Sequence, residues 1–378
     1  MDQHRINMSD IVIGEALPWD VFDAGGHLLL SRGYVVERAH QVEALVERGL
    51  FVDAKALEKK SQPKPAKIQE LPSVLRLINL ANKRLERLLF NLTNEADAKD
   101  KIIEVANALI YAAKINPDVA LACILLNQEA GSYPVRHCID TALVSLLVAT
   151  SMKKSPNEIL TITAAALTMN VGMLRQQEAM QNSADPLSEA DKKLIHDHPQ
   201  ESVSLLKSVG IDNPDWLSYV LQHHENEDGS GYPLGKANHD IPDCAKIISI
   251  ADRYCARVSG RNYRKSLLPN AALRDILLAD KKNIDPTLTT CFIRELGIYP
   301  TGTFVKLENG EIGVVTGRGE TTTTPIVHAL IGPRGAPLSF PIKRDTAKQL
   351  FSIREVLDED KAALRFSMQQ LWGDEAKL

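Results

Sequence analysis

Leu71, Leu75, Ile78, Leu85, Leu88 and Leu92 recur at steps of three, four and seven residues, which puts them on one stripe of a helix. The pattern does not stop there. Asn116-Pro117-Asp118 reads as a helix start, with Asn116 as N-cap and Pro117 at the first helical position, where its missing N–H costs nothing. Apolar helical stretches continue through 135–152, 156–170, 188–208, 214–225, 242–258 and 270–280. Stripes repeated over roughly 200 residues must be buried against one another, so the expected architecture is mainly α, a helical bundle over 71–298.

The flanks have a different texture. In 1–53, Ile11-Val12-Ile13 and Trp19 to Phe22 are strand-like, Asp23-Ala24-Gly25-Gly26 is a turn, Leu28-Leu29-Leu30 resumes an apolar run, and Arg38 to Arg48 is helical. This is a small α+β unit. The charged, proline-bearing stretch AKALEKKSQPKPAKIQE, 54–70, reads as a linker. Over 299–378, Thr303 to Leu307, Asn309-Gly310 and Ile312 to Thr316 form a strand–turn–strand signal. Pro325 to Ile331 and Leu338 to Ile342 add two strands, so a small β-barrel or sandwich is expected, closed by a helix near 358–372.

Composition narrows the function classes. A formal charge of −4 and a pI near 6.2 give no basis for a nucleic-acid or anionic-membrane surface. The five cysteines are scattered with no C-x-x-C pair, the usage of reduced, buried thiols. The N-terminus lacks an apolar signal-like run, and Ile139 to Met152 falls short of the ~20 residues of a membrane span. A cytoplasmic protein without a membrane span is expected.

The chemistry-bearing segment is His223-His224-Glu225-Asn226-Glu227-Asp228-Gly229-Ser230-Gly231-Tyr232-Pro233. Adjacent imidazoles suit Fe, Mn, Zn or Ni, and the glycines let backbone approach a ligand closely. This string resembles the signature of the HD-GYP family, metal-dependent bacterial phosphodiesterases that hydrolyse cyclic di-GMP. The resemblance covers about 133–296 and implies an HD-type bundle. His137 matches the family's first histidine, His198 its His-Pro histidine, His223 and His224 its twin histidines, and Asp252 its late aspartate. Gly229, Gly231, Tyr232 and Pro233 match its loop. Arg261 and Arg264 match an Arg-x-Tyr-Arg segment that meets phosphate, although Asn262 replaces its usual proline.

The eponymous His-Asp pair falls on Met169 and Asn170, and the lysine three residues later is Met173. The second aspartate of the late Asp-x-x-Asp step is Cys255. His196-Asp197 is literally a His-Asp dipeptide, but it lies next to the His-Pro histidine rather than well upstream of it. Tyr133 stands where some members carry a glutamate for an additional metal, so no third ion is expected.

Phosphodiester hydrolysis near neutral pH needs hydroxide, which a bound metal supplies by lowering the pKa of water to about 7. Two metals ~3.5–4 Å apart need an anionic bridge between them. Asn170 has the shape of an aspartate without its charge, and Met173 offers no cation to phosphate. The resemblance therefore implies a catalytically impaired member. His198, His223 and His224 would hold zero or one divalent transition metal, with His137 and Asp252 as further candidate ligands. His137 as a core histidine bonded to a neighbouring helix, and Asp252 as a cap or a salt-bridge partner of Arg253 or Arg257, are the structural alternatives. The expected ligand is cyclic di-GMP or its linear product, bound through Gly229, Gly231, Tyr232, Pro233, Arg261 and Arg264, or else a GGDEF-type protein docked on the same loop. Two other readings stay open: an active phosphodiesterase with an atypical metal site, and an interaction module that binds no nucleotide.

Overall fold

The computed structural model describes residues 3–5, 11, 16–17, 19–36, 51–53, 72–127, 130–183, 186–259, 266–276, 285–358, 362 and 364–378. The chain forms two compact units, Met1–Glu70 and Leu71–Leu378.

The first unit carries a four-stranded antiparallel sheet built from β1 (Gln3–Arg5), β2 (Val21–Phe22), β3 (Leu28–Leu30) and β4 (Phe51–Asp53), in the order β1-β4-β2-β3. The Asp23 carboxylate accepts the backbone N–H of Gly25 and His27, which closes the β2–β3 turn. Trp19 is not in a strand as its neighbours suggest; it is buried with Ile11, Leu17, Val21, Val36 and Val52. Two strands, β1 and β4, are three residues long, too short for a period-two signal. The helical reading of Arg38 to Arg48, the strand residues Val12 and Ile13, and the linker 54–70 lie outside the described residues.

The second unit begins with α1 (Val74–Phe90), α2 (Ala98–Ile115) and α3 (Pro117–Leu126). It continues through α4 (Tyr133–Ser151), α5 (Pro156–Thr168), α6 (Leu174–Asn182) and α7 (Glu189–Ser208). The last helices of the bundle are α8 (Pro214–Gln222), α9 (Asp243–Val258), α10 (Pro269–Arg274) and α11 (Pro286–Leu296). Their starts are chemically marked. Ser155 with Glu158 and Ser188 with Asp191 form capping boxes, and the side chains of Asn116, Asn213 and Asp285 cap α3, α8 and α11. The α4 helix is buried almost all round and packs against α5 and α9, with α1, α2, α3, α6 and α11 about it. A helix apolar on every side belongs in a core. No single helix among the described residues is long and apolar enough to cross a membrane.

A five-stranded antiparallel sheet closes this unit: β5 (Phe304–Leu307), β6 (Ile312–Gly317), β7 (Ile326–Ile331), β8 (Pro337–Asp345) and β9 (Ile353–Leu357), in the order β8-β7-β6-β5-β9. It is one open sheet rather than a barrel or sandwich, since β8 and β9 remain its edges. The β9 strand occupies a stretch that helical spacing alone did not mark, and the closing helix is the short α12 (Met368–Trp372). Thr301 donates to the Asp118 carbonyl, Arg318 pairs with Glu295, and the Trp372 indole N–H donates to the Thr316 carbonyl. These bonds fasten the sheet to the helices of the same unit.

Candidate functional site

Two proline and helix-end effects set the histidine chemistry. Pro199 lies inside α7 and has no N–H, so the Ile195 carbonyl four residues back loses its helical donor. The His198 Nδ1–H donates to that carbonyl at 2.6 Å. At the end of α8 the Val220 carbonyl is an unpaired helix-terminal acceptor, and the His223 Nδ1–H donates to it at 2.7 Å. The helix stops at Gln222, earlier than its periodicity suggests, so the twin histidines stand at and beyond its C-cap.

Both rings therefore carry their proton on Nδ1, and their bare Nε2 atoms face each other at 3.3 Å. Burial pushes His198 down to about 3, with the neighbouring His223 adding to the effect. Burial likewise lowers His223, and it places His224 well below the ordinary range, with His223 again contributing. One nitrogen from each of His198, His223 and His224 lies within 4.8 Å of the others. Two buried lone pairs aimed at one another, with no proton between them, repel. Such a set fits a divalent metal of the kind that imidazole prefers.

The loop after the histidines is held from beneath. The buried Glu225 carboxylate accepts the backbone N–H of Leu234 at 2.6 Å and of Lys236 at 2.9 Å. The Tyr232 N–H donates to the His224 carbonyl. A Cβ on Gly231 would come within 2.4 Å of the Asn226 nitrogen and 2.5 Å of the Glu225 Cα, so only glycine fits there. The Tyr232 ring is stacked between His224 and His196, with centroids 4.7 and 5.1 Å away. Pro233 follows on a cis peptide bond, and Gly229 takes φ +76°.

His137 and Asp252 are brought together from α4 and α9. The His137 Nε2–H donates to Asp252 Oδ1 at 2.6 Å. Burial alone would raise the Asp252 carboxyl, but the His137 bond and the nearby imidazoles outweigh it and hold it below the usual range. His137 is thus a buried histidine bonded to a neighbouring helix, as its structural alternative has it, and the partner is Asp252; Arg257, offered as a partner for Asp252, bonds to Asp275 instead. Tyr133 stacks on His137.

Met169 and Asn170 follow α5 directly. Met169 is fully buried in the helical core, whereas Asn170 and Met173 line a cleft of about 140 Å³ together with Tyr133, His137, His224 and Asp252. The turn is fastened to α7, because Ser202 Oγ donates to the Met169 carbonyl and accepts the Gly172 N–H. A Cβ on Gly172 would lie 2.7 Å from the Ser202 nitrogen and 2.9 Å from the His198 carbonyl. His196 and Asp197 bond to each other on the surface. Arg261 and Arg264 lie outside the described residues. Sequence reasoning missed Glu225, Ser202 and Gln177, which also lines the cleft. Nothing local in the sequence marked these three.

Residues 106–288 match the HD domain family. The cyclic di-GMP phosphodiesterase PA4108 of Pseudomonas aeruginosa is 26% identical over 240 residues, 63% of this chain and 56% of that protein. The cyclic di-GMP phosphodiesterase PdeB of Borreliella burgdorferi is 22% identical over 203 residues, 53% of each chain. This chain thus spans about half the length of these curated relatives. Among solved structures, Bd1817, an HDG"Y"P protein from Bdellovibrio bacteriovorus, shares the fold. Its TM-score is 0.50 at 15% identity, over 77% of this chain and 98% of its own. The chain is thus mostly helical, with a small strand sheet before and after its helical bundle in sequence, and its residues 106–288 are similar to the HD domain family.

Proposed function

We propose that this chain is a catalytically impaired HD-type protein that binds a cyclic dinucleotide in its cleft without efficient turnover. The observation that carries this reading is Asn170. It is 2% exposed and lines the cleft with an amide, at the position where the resemblance to HD-GYP proteins calls for a carboxylate between metals. Asp252, the carboxylate among the described lining residues, is already engaged by His137. Met173 adds a thioether where a cation would meet phosphate. His198, His223 and His224 would hold one divalent transition metal. When bound, such an ion supplies Lewis acidity and a lowered pKa for water. This chain's own residues do the rest: His137 and Asp252 hold each other in place, and Glu225 and Gly231 keep the loop closed over His224. The names of relatives, several of them cyclic di-GMP phosphodiesterases, support the ligand class.

The test combines elemental analysis, calorimetry with cyclic di-GMP and its linear product, and a turnover assay on the purified chain. The expected outcome is at most one metal per chain, measurable binding, and turnover several powers of ten below that of relatives tested alongside. Each power of ten corresponds to ~1.4 kcal/mol of barrier. Robust metal-dependent hydrolysis would replace this reading with an active enzyme using an atypical site. Failure to bind either nucleotide would leave an interaction module.

A further inference from the structure

The three imidazoles of the cluster are not oriented in the same way. His198 and His223 each donate Nδ1–H to a backbone carbonyl, that of Ile195 and that of Val220. The His224 ring makes no hydrogen bond among the described residues. What it meets is other rings: His198 edge-on at 5.1 Å, His223 at 4.1 Å and Tyr232 face-on at 4.7 Å. The last torsion of a histidine is soft, and a metal-binding imidazole is normally oriented by a partner on its second nitrogen. His224 therefore needs another support. Tyr232 lies within 25° of parallel to it, and His196 lies within 24° of parallel to Tyr232. The His196 ring is fixed in turn, because its Nδ1–H donates to the Asp197 carboxylate at 3.1 Å. The side chains of His196 and Asp197 are 57% and 41% exposed, so neither serves as core packing.

We propose that His196 is a positioning residue for His224, acting through Tyr232, with Asp197 holding the His196 ring in place. The proposal rests on reading His198, His223 and His224 as a metal cluster, and it gives the literal His-Asp dipeptide a role outside that cluster. The backbone already places Tyr232 beside His224, since the Tyr232 N–H donates to the His224 carbonyl. That bond does not set the direction of the ring. The inner face of Tyr232 rests on His224, and without His196 its outer face would be open to water and the ring free to swing away. An aromatic stack shifts a local equilibrium about two- to tenfold beyond what burial does. The stack thus does for His224 what the carbonyls of Ile195 and Val220 do for its two neighbours: it keeps one edge of the imidazole turned to the cluster.

The experiment compares the full chain with His196→Ala, His196→Phe and Asp197→Ala, using ring-nitrogen NMR of the metal-free proteins and titration with zinc. In His196→Ala the His224 signals are expected to become averaged while those of His198 and His223 stay put, and zinc affinity should fall about two- to tenfold. His196→Phe, which keeps a flat ring and removes the nitrogens, should restore both. Asp197→Ala should move both in the direction of His196→Ala, by less. Thermal unfolding should be the same in all four proteins, which separates positioning from a general loss of structure. His224 signals unchanged in His196→Ala overturn the proposal. So does a His196→Phe variant as weak for zinc as His196→Ala, because the imidazole nitrogen rather than the stack would then be what matters. A parent chain that binds no zinc would defeat the metal reading of the cluster, and the NMR of the metal-free proteins would still decide whether His196 orients His224.

Discussion

At the scale of single residues, the histidine cluster is organised by absences in the backbone ladder. Pro199 withholds an N–H from Ile195, and the end of α8 leaves the Val220 carbonyl unpaired; an imidazole takes each vacancy. The consequence is a fixed tautomer with Nε2 bare, the form a metal ligand requires. Pro199→Ala tests this directly. The new backbone N–H would compete with His198 for the Ile195 carbonyl, freeing the ring to turn. Partners of this kind typically matter ten- to a hundredfold in metal affinity, so a loss of about that size is expected in a metal titration. Thermal stability should hold or rise, because proline inside a helix costs ~3 kcal/mol. Ring-nitrogen NMR should show the His198 tautomer becoming mixed. Unchanged affinity with an unchanged tautomer would mean that Pro199 does not set the ring.

At the scale of elements, the bundle was largely legible, because period and caps are local. Asn116-Pro117 marked the start of α3 before any packing was known, and the apolar stripe of α1 is buried as its spacing predicts. What escaped were contacts between distant positions. His137 and Asp252 lie 115 residues apart, and Glu225 bonds to backbone that no side-chain pattern reveals. The β9 strand was missed because its IREVL sequence is short and only partly alternating. Helix α4 holds one further surprise, Asp140, buried in the core with Oδ2 lacking a partner among the described residues. Burial raises its carboxyl from 3.8 to about 8, against the pull of Arg136. The folded state therefore keeps a proton that the unfolded chain releases. The stability this contributes is full below about pH 4 and is lost as pH rises through about 8, at up to ~1.4 kcal/mol per pH unit. Asp140→Asn should flatten that decline, so urea unfolding at pH 5 and pH 8 should converge for the variant and diverge for the parent. Parallel pH profiles in the two proteins would show that Asp140 is paired or hydrated in the folded state.

At the scale of the whole helical unit, the last residues tie together segments that are remote in sequence. Asn116 accepts the N–H groups of Asp118 and Val119 through Oδ1 while its Nδ2 donates to the Glu375 carboxylate at 2.6 Å. Ser73 caps α1 and donates to the Lys377 carbonyl at 2.5 Å. Ala376 is 1% exposed against the helical core. One short segment thus secures the starts of α1 and α3, and Trp372 just before it bonds to β6. None of these contacts involves the histidines or the cleft wall, so stability and site chemistry are separable here. Removing residues 374–378 deletes three half-buried side-chain hydrogen bonds, an exposed one from Arg76 to the Leu378 carbonyl, and one buried methyl, a loss of ~2–3 kcal/mol. Urea unfolding of the shortened chain should show that loss, while metal stoichiometry measured in buffer stays that of the parent. A shortened chain as stable as the parent would mean that the tail merely rests on the bundle. A fall in metal content at unchanged stability would instead place the tail in the site's support.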